Sequence, residues 1–104
     1  SFISLTKVLP ALVNVAPDAD FLMLVKPQFE VGKGHVGKGG VVRDAALHAE
    51  AITGVAHAAR DLGLGVAGLT RSPLPGPSGN IEFVMWLRRG AGDLGPSLVA
   101  EVTS

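Results

Sequence analysis

Apolar residues along this chain fall into groups with helical spacing and groups typical of strands, and the two kinds alternate. In the first group, residues 5, 8, 9, 12 and 13 are apolar, which is the spacing of an amphipathic helix. Ser4 is placed to cap this helix at its start. Pro10 lies inside the pattern and should kink or divide the helix.

An unbroken apolar run at 21–25 follows and ends at Lys26 and Pro27. A short run without polar positions predicts a strand that is covered on both faces, as in the middle of a parallel sheet. Proline has no N–H to donate to a neighbouring strand, so the strand should stop there. Lys26 would then lie at the rim of the sheet, where open α/β folds bind their ligands.

The second half of the chain predicts one helix and two strands. Asp44 is placed as a helix cap, and Gly63 is placed to end the helix. The predicted buried stripe of this helix consists of Leu47, Ala51, Val55, Ala58 and Leu62. Strands are predicted at 64–70 and 81–89, and the proline-rich segment 72–79 between them predicts a loop.

The lengths of the connections predict how these strands run. The first two strands are joined through a helix and should be parallel, whereas the last two are joined by about ten residues and should be antiparallel. The end of the first strand and the start of the third should therefore lie at one edge of the sheet. Lys26 and Glu82 occupy those two positions and form a candidate site. On residue types alone, the pair could equally be a structural ion pair or two solvated side chains.

Length and composition limit the class of protein. The sequence has 104 residues, of which 47% are hydrophobic, and this is the size and balance of one small globular domain. The formal net charge is zero, so no overall field attracts nucleic acid or a membrane. No stretch is long enough to span a bilayer, and the absence of cysteine fits a cytoplasmic protein. The segment 91–104 predicts a loose tail.

The glycine-rich segment contains two motifs that resemble nucleotide-binding loops. Gly32, Gly34 and Gly37 match G-x-G-x-x-G, and the same segment with Lys38 nearly matches the P-loop. In both motifs a helix should open at the motif, whereas the next helix here is predicted to begin only after Asp44. The residue after Lys38 is also glycine instead of Ser or Thr, so the sequence argues against a nucleotide site.

The three histidines give no metal-binding pattern. His48 and His57 are nine residues apart on one predicted helix, which places them on different faces, and the chain has no cysteine. We therefore expect His35, His48 and His57 to be solvated, and we expect no metal site.

Four sequence blocks together resemble the hemolysin A (TlyA) family of ribosomal RNA 2′-O-methyltransferases, which have an FtsJ-like catalytic domain. These blocks are SFISL at the start, LVKPQFEVGK at 24–33, GGVVRD at 39–44 and SPLPGPSGNIEF at 72–83. The resemblance implies that residues 1–90 form the C-terminal half of that domain. The implied fold is the C-terminal part of a class I (Rossmann-like) α/β methyltransferase sheet, whose last strand is antiparallel.

The resemblance also implies roles for individual residues. The family uses S-adenosylmethionine and a Lys-Asp-Lys-Glu tetrad, of which the second lysine is carried over to Lys26 and the glutamate to Glu82. Lys26 would be the base and Glu82 would orient it or the ribose. The Asp, the first lysine and most of the cofactor pocket would fall before Ser1. Lys33, Lys38 and Arg71 are the residues expected to contact RNA phosphates.

This partial match implies a catalytic fragment that acts on ribosomal RNA or ribosomal subunits in the cytoplasm only as part of a larger enzyme. We expect the isolated chain to be inactive. Its first strand would lack one neighbour, and this exposed edge could pair two copies into a homodimer. The alternative is a non-catalytic module that self-associates or binds a partner. A membrane-active hemolysin has only the family name in its favour.

Overall fold

The computed structural model describes residues 3–32, 34 and 36–104, and of Lys38 and Pro77 it describes only the backbone. In chain order, its helices and strands are α1 (Leu5–Val15), β1 (Phe21–Val25), α2 (Pro27–Glu30), α3 (Ala45–Asp61), β2 (Leu64–Arg71), β3 (Phe83–Arg89) and α4 (Pro96–Thr103). Short 3-10 turns lie at Lys38–Gly40 and Pro77–Gly79. The predicted order of helix, strand, helix, strand, strand is confirmed, and α2 and α4 are additions to it.

The helix ends follow the predicted local signals. Ser4 Oγ accepts a hydrogen bond from the N–H of Thr6, and Asp44 Oδ1 accepts one from the N–H of Ala46. Gly63 follows α3 with a φ of 85°, a conformation that glycine adopts without steric cost. Pro10 does not divide the helix, because α1 continues through it as a single helix.

The three described strands form one sheet in the order β1–β3–β2. Both β1 and β2 pair with β3 in antiparallel fashion, so they run parallel to each other, and the predicted antiparallel pairing of the last two strands is confirmed. β3 lies between the parallel strands, which the connection lengths alone do not predict. In the register, Val25 and Arg71 lie on either side of Phe83, so β1 and β2 both end beside the start of β3.

The hydrophobic core lies on the face of the sheet that α1 and α3 cover. Phe83, Met85 and Leu87 of β3 are fully buried, as the predicted alternation of β3 requires, and Leu9 of α1 packs with them. The buried face of α3 is rotated slightly from the predicted stripe. It consists of His48, Ala51, Ile52, Val55, Ala56 and Ala59.

The prediction that β1 is covered on both faces is wrong for the described structure. β1 pairs only with β3 among the described strands, and its burial alternates along its length. Leu22 is 73% exposed and Leu24 is 41% exposed, on the face opposite the helices. Trp86 lies opposite Leu22 and is also exposed, so an apolar surface remains open on this side of the sheet.

The last residues form a packed helix where the sequence predicted a loose tail at 91–104. α4 begins with Pro96 at its first position, which suits a helix start. Val99 and Val102 pack against the core, and Thr103 is buried. Arg71, at the end of β2, donates to the backbone oxygens of Val102 and Ser104 and so satisfies carbonyls at the end of α4.

Candidate active site

The structure brings the two candidate residues to the same border of the sheet. Val25 and Phe83 are the last paired residues of β1 and β3, and Lys26 and Glu82 are the next residue on each chain segment. Residues opposite each other in an antiparallel pair direct their side chains to the same face. The predicted juxtaposition of an amine and a carboxylate therefore has its structural basis in the register of these two strands.

Glu82 is enclosed, with only 4% of its surface exposed. Gln28 Nε2 donates a hydrogen bond to Glu82 Oε2 at 3.1 Å. The backbone of Gly76 lies directly against the same carboxylate, so that a Cβ atom at position 76 would collide with it. The backbone oxygen of Glu82 also accepts from the N–H of Ser72. A carboxylate held this closely is fixed in place, which suits a group that orients another.

Lys26 is half-buried and occupies the residue between β1 and α2. Its Nζ lies 5.5 Å from the centre of the Phe29 ring, which is within the range of a cation–π contact. Within the part of the chain that the structure describes, the ion pair found is Arg60 with Asp93, and Lys26 forms none with Glu82. The strand register thus places the two residues opposite each other, and the Lys26 amine contacts the Phe29 ring and not the carboxylate.

The glycine-rich segment ends in an ordered turn beside this border. The N–H of Gly37 donates to the oxygen of Val41, and Gly39 and Gly40 have positive φ values. Asn80, just before Glu82, is buried; its Oδ1 accepts from the N–H of Val42 and its Nδ2 donates to the oxygen of Gly40. Asn80 thus ties the turn to the start of β3.

His48 corrects the expectation that the histidines are solvated. It is 2% exposed, its Nε2 lies 2.8 Å from the oxygen of Val42, and its ring packs edge-on against Phe83. His48 therefore links the end of the same turn to the core residue Phe83. His57 is exposed as expected, and His35 lies outside the described residues.

The three residues expected to contact RNA have different outcomes. Lys33 lies outside the described residues, and nothing is described of the Lys38 side chain. Arg71 is described, and its guanidinium is engaged with the backbone of α4 at 3.1 and 3.3 Å. This structural contact competes with the predicted phosphate contact of Arg71.

Two cavities in the described part of the chain are formed by β2 and α4 without the candidate pair. One, of about 450 Å³, is bounded by α3, the start of β2 and α4, and it includes the exposed pair Arg60 and Asp93. The other lies between the end of β2 and α4. Neither is lined by Lys26 or Glu82. The larger cavity lies at the opposite border, where β2 begins and where no acid and base from the described neighbouring strands converge.

The described residues do not by themselves fit a nucleoside cofactor. The glycine-rich segment is followed by residues 41–44 before α3 begins, so its glycines do not open a helix as dinucleotide loops do. Neither of these two cavities is lined by Lys26 or Glu82, so neither is a cofactor pocket beside the candidate pair.

Residues in two blocks have structural roles that the pattern of the sequence did not reveal. Gln28 contacts Glu82, which is 54 positions away in sequence. Glu30 accepts hydrogen bonds from Ser4 Oγ and from the N–H of Leu5, and so anchors the start of α1. Asn80 holds the glycine turn. Their partners are distant in sequence, so no local pattern predicts these contacts. The one sequence signal was that these polar residues lie close to Lys26 or Glu82 along the chain.

The mixed α/β architecture, in which the last strand runs antiparallel to both of its neighbours, agrees with the C-terminal part of a class I methyltransferase sheet. The sequence profile described as FtsJ-like methyltransferase matches residues 1–89. The chain belongs to this family. FtsJ-like methyltransferases generally use S-adenosylmethionine.

Individual relatives agree with this assignment. The chain is 61% identical, over 85% of its length, to the 16S/23S rRNA (cytidine-2′-O)-methyltransferase TlyA of Mycobacterium tuberculosis. It is 38% identical, over 81% of its length, to the protein named hemolysin A of Brachyspira hyodysenteriae. A solved chain from Streptococcus thermophilus, which is named as a hemolysin, superposes with a TM-score of 0.89 at 40% identity over 99% of this chain.

This chain spans about a third of each of these relatives: 33% of the Mycobacterium protein, 35% of the Brachyspira protein and 38% of the Streptococcus chain. In the described part of the chain, none of the helices is long and apolar enough to cross a bilayer.

Proposed function

We propose that this chain is the C-terminal part of the catalytic domain of an S-adenosylmethionine-dependent ribosomal RNA (cytidine) 2′-O-methyltransferase. The observation that carries the proposal is the convergence of Lys26 and Glu82 at one border of the sheet, in a chain of the FtsJ-like family. The name of the Mycobacterium relative supplies the substrate class. The higher identity to that relative favours this function over a hemolysin.

In the proposed reaction, Lys26 removes the proton of a ribose 2′-hydroxyl. A hydroxyl is a weak nucleophile until a base takes its proton, and an amine can accept that proton only in its neutral form. The O–H bond breaks, a new N–H bond forms at Nζ, and the electron pair left on the oxygen becomes available for attack. Glu82 orients Lys26 or the ribose, and its tight enclosure by Gln28 and Gly76 supports that role.

The cofactor is held mainly by parts of the enzyme outside these residues, and it supplies the methyl group. Lys33 and Lys38 belong to the glycine-rich segment of the sequence and are proposed to contact RNA phosphates. The Arg71 guanidinium already donates hydrogen bonds to the backbone at the end of α4. We therefore propose that Arg71 contributes less to RNA binding than the two lysines. Ribosomal RNA or subunits as the substrate would place the enzyme in the cytoplasm. Because the cofactor would be held mainly by other parts of the enzyme, the isolated chain is proposed to be inactive.

The test uses a hybrid enzyme in which this chain replaces the matching segment of the Mycobacterium tuberculosis relative. Transfer of labelled methyl groups to ribosomal subunits is measured with the unaltered chain and with Lys26→Ala. The unaltered hybrid is expected to be active. Lys26→Ala is expected to lower the rate by about 10²- to 10⁴-fold, the usual contribution of a general base, while cofactor binding measured by calorimetry stays the same.

An inactive hybrid with the unaltered chain would count against the proposed function. Near-normal turnover of Lys26→Ala would remove Lys26 from the role of base. The matched control is Lys7→Ala, because Lys7 is an exposed lysine on α1; its rate should equal that of the unaltered hybrid.

The open side of the sheet favours a second function, in which the chain is a self-associating module. The outer edge of β1 has no partner among the described strands, and Leu22, Leu24 and Trp86 are exposed beside it. Unpaired edges and exposed apolar surfaces promote association. Light scattering at increasing concentrations would show a homodimer that weakens with Leu22→Lys. A monomer at all concentrations would contradict this alternative.

A further inference from the structure

Gln28 has a feature that the proposed reaction does not yet use. Gln28 Oε1 is buried and has no hydrogen-bond partner among the described residues. The other end of the same amide, Nε2, donates to Glu82 Oε2 at 3.1 Å. One side of this amide is therefore paired with a buried carboxylate and the other side lacks a donor.

The orientation of the amide is set by its neighbour. An ionised carboxylate only accepts hydrogen bonds, so the NH₂ group of Gln28 must face Glu82 and the oxygen must face away. An unpaired buried acceptor is unfavourable, and native proteins rarely keep one without a use. A donor that came within reach of Gln28 Oε1 would satisfy this acceptor.

Lys26 carries the amine donor on the same chain segment as Gln28. It precedes Gln28 by two residues, and the register of β1 and β3 brings it opposite Glu82, the residue that Gln28 already contacts. In this structure its Nζ lies over the ring of Phe29, a contact that costs little to leave. Its long, flexible stem allows the amine to move between these two positions.

We propose that Gln28 is the positioning residue of this site. Its Nε2 holds the Glu82 carboxylate, and its Oε1 accepts a hydrogen bond from the Lys26 amine when substrate binds. A neutral amine has two N–H donors and one lone pair. If Gln28 and Glu82 accept the two N–H groups, the lone pair is directed outward, toward the hydroxyl whose proton it takes. This inference rests on the proposed function and deepens it.

The experiment uses the hybrid enzyme with Gln28→Met, which keeps the length of the side chain and removes both hydrogen bonds. We expect kcat to fall by about 10²-fold, the effect of misplacing a catalytic group, while KM for the ribosomal subunit changes less than about twofold at a temperature at which the variant remains folded. Asn14→Met is the matched control, since Asn14 is an exposed amide on α1. It should leave kcat unchanged.

Gln28→Glu separates the two ends of the amide. It keeps an acceptor for Lys26 and loses the donor to Glu82, so two carboxylates face each other, and kcat should fall at least as far as in Gln28→Met. Its control, Asn14→Asp, makes the same change of charge on the surface. A kcat for Gln28→Met within about threefold of the unaltered hybrid, or a loss of activity explained by a lower melting temperature, would overturn the positioning role.

A crystal structure of the hybrid with an RNA substrate and S-adenosylhomocysteine supplies a readout that does not depend on turnover. Lys26 Nζ is expected within about 3.2 Å of Gln28 Oε1, the limit of an N–H···O hydrogen bond. Lys26 remaining on the Phe29 ring, or bound to another group, would overturn the inference even if the enzyme is active. Conversely, an inactive hybrid in which this contact forms would count against the proposed function and leave the position of Gln28 supported.

Discussion

The two borders of the sheet differ in what they bring together. At one border, β1 and β2 end beside the start of β3, and this register brings together the segment that carries Lys26 and Gln28 and the segment that carries the enclosed carboxylate of Glu82. At the other, small and apolar residues of α3, β2 and α4 surround a cavity of about 450 Å³, and its ion pair is solvent-exposed. In this molecule, the larger cavity and the candidate catalytic side chains therefore lie at different borders of the sheet. The larger space is here a gap in helix packing, whereas the reactive groups meet where strands end.

Among the comparisons of the two borders, the largest effect is expected from removing the charge of the Glu82 carboxylate at the first border. In the hybrid enzyme, Glu82→Gln removes the charge but keeps the shape, and the Gln28 amide can turn to remain hydrogen-bonded. We expect methyl transfer to fall by about 10²-fold, the effect of losing the geometry of a catalytic group, with little change in melting temperature.

Asp93→Asn makes the same chemical change at the opposite border, where the carboxylate is 71% exposed. Its methyl transfer should equal that of the unaltered hybrid. Equal losses in the two variants would show that the borders do not differ in the way described.

A pair of glycine substitutions compares the borders by their effect on stability. A Cβ at Gly65, near the cavity, would collide with the backbone of Ala91, which cannot move aside without shifting the chain. Gly65→Ala should therefore lower the free energy of unfolding by about 1–3 kcal/mol, the usual cost of overpacking, measured by urea denaturation.

At the first border, a Cβ at Gly76 would collide with the end of the Glu82 side chain and not with backbone, so a shift of that side chain relieves the clash at a lower cost than at Gly65. Gly76→Ala should therefore lower the free energy of unfolding less than Gly65→Ala does but should also lower methyl transfer, because the carboxylate is displaced. A reversed pattern, with Gly76→Ala the more destabilising variant, would contradict the assignment.

The glycine turn beside the first border depends on Asn80. Asn80→Ala leaves the N–H of Val42 and the oxygen of Gly40 without these partners, so we expect a loss of about 1–3 kcal/mol in the free energy of unfolding. Hydrogen exchange at Val42 should become faster. Asn14→Ala, on the exposed side of α1, is the control and should change stability by less than about 0.5 kcal/mol. Unchanged exchange at Val42 in Asn80→Ala would show that the turn is held by other contacts.

The smallest effect is expected at the cavity border. Arg60 and Asp93 lie 3.7 Å apart, but both side chains are mostly exposed. Exposed pairs contribute about 0–1 kcal/mol, so Arg60→Ala should change the free energy of unfolding by no more than that, and less at high salt. A loss above about 2 kcal/mol would mean that this ion pair supports α4.

Much of the fold could be predicted because its signals are local. The caps at Ser4 and Asp44 and the glycine at 63 depend only on neighbouring residues, and the structure has all three. The shared border of Lys26 and Glu82 follows from the length of the connections. The insertion of β3 between β1 and β2 could not be predicted, because strand order is decided by packing across the whole sheet.

Two errors and one omission have physical causes in the same distinction between local and long-range contacts. The apolar run of β1 does not reveal that one of its faces is open in this structure. α4 was missed because its start lies among glycines, although Pro96 and the spacing of Val99 and Val102 suit a helix. The contact of Gln28 with Glu82 joins residues far apart in sequence, and no pattern of a single segment contains it.

The central place of β3 has a consequence for how the molecule is built. During synthesis, β1 and β2 leave the ribosome before the strand that joins them, and neither pairs with the other in the finished sheet. Sheet formation between these strands, and with it the meeting of the lysine and the glutamate, must wait until residues 83–89 have emerged. Pairing over such separations is slow relative to local folding. Until that moment the apolar strands are at risk of wrong pairing, and helices α1 and α3, which form from local contacts, are the elements available to shield them.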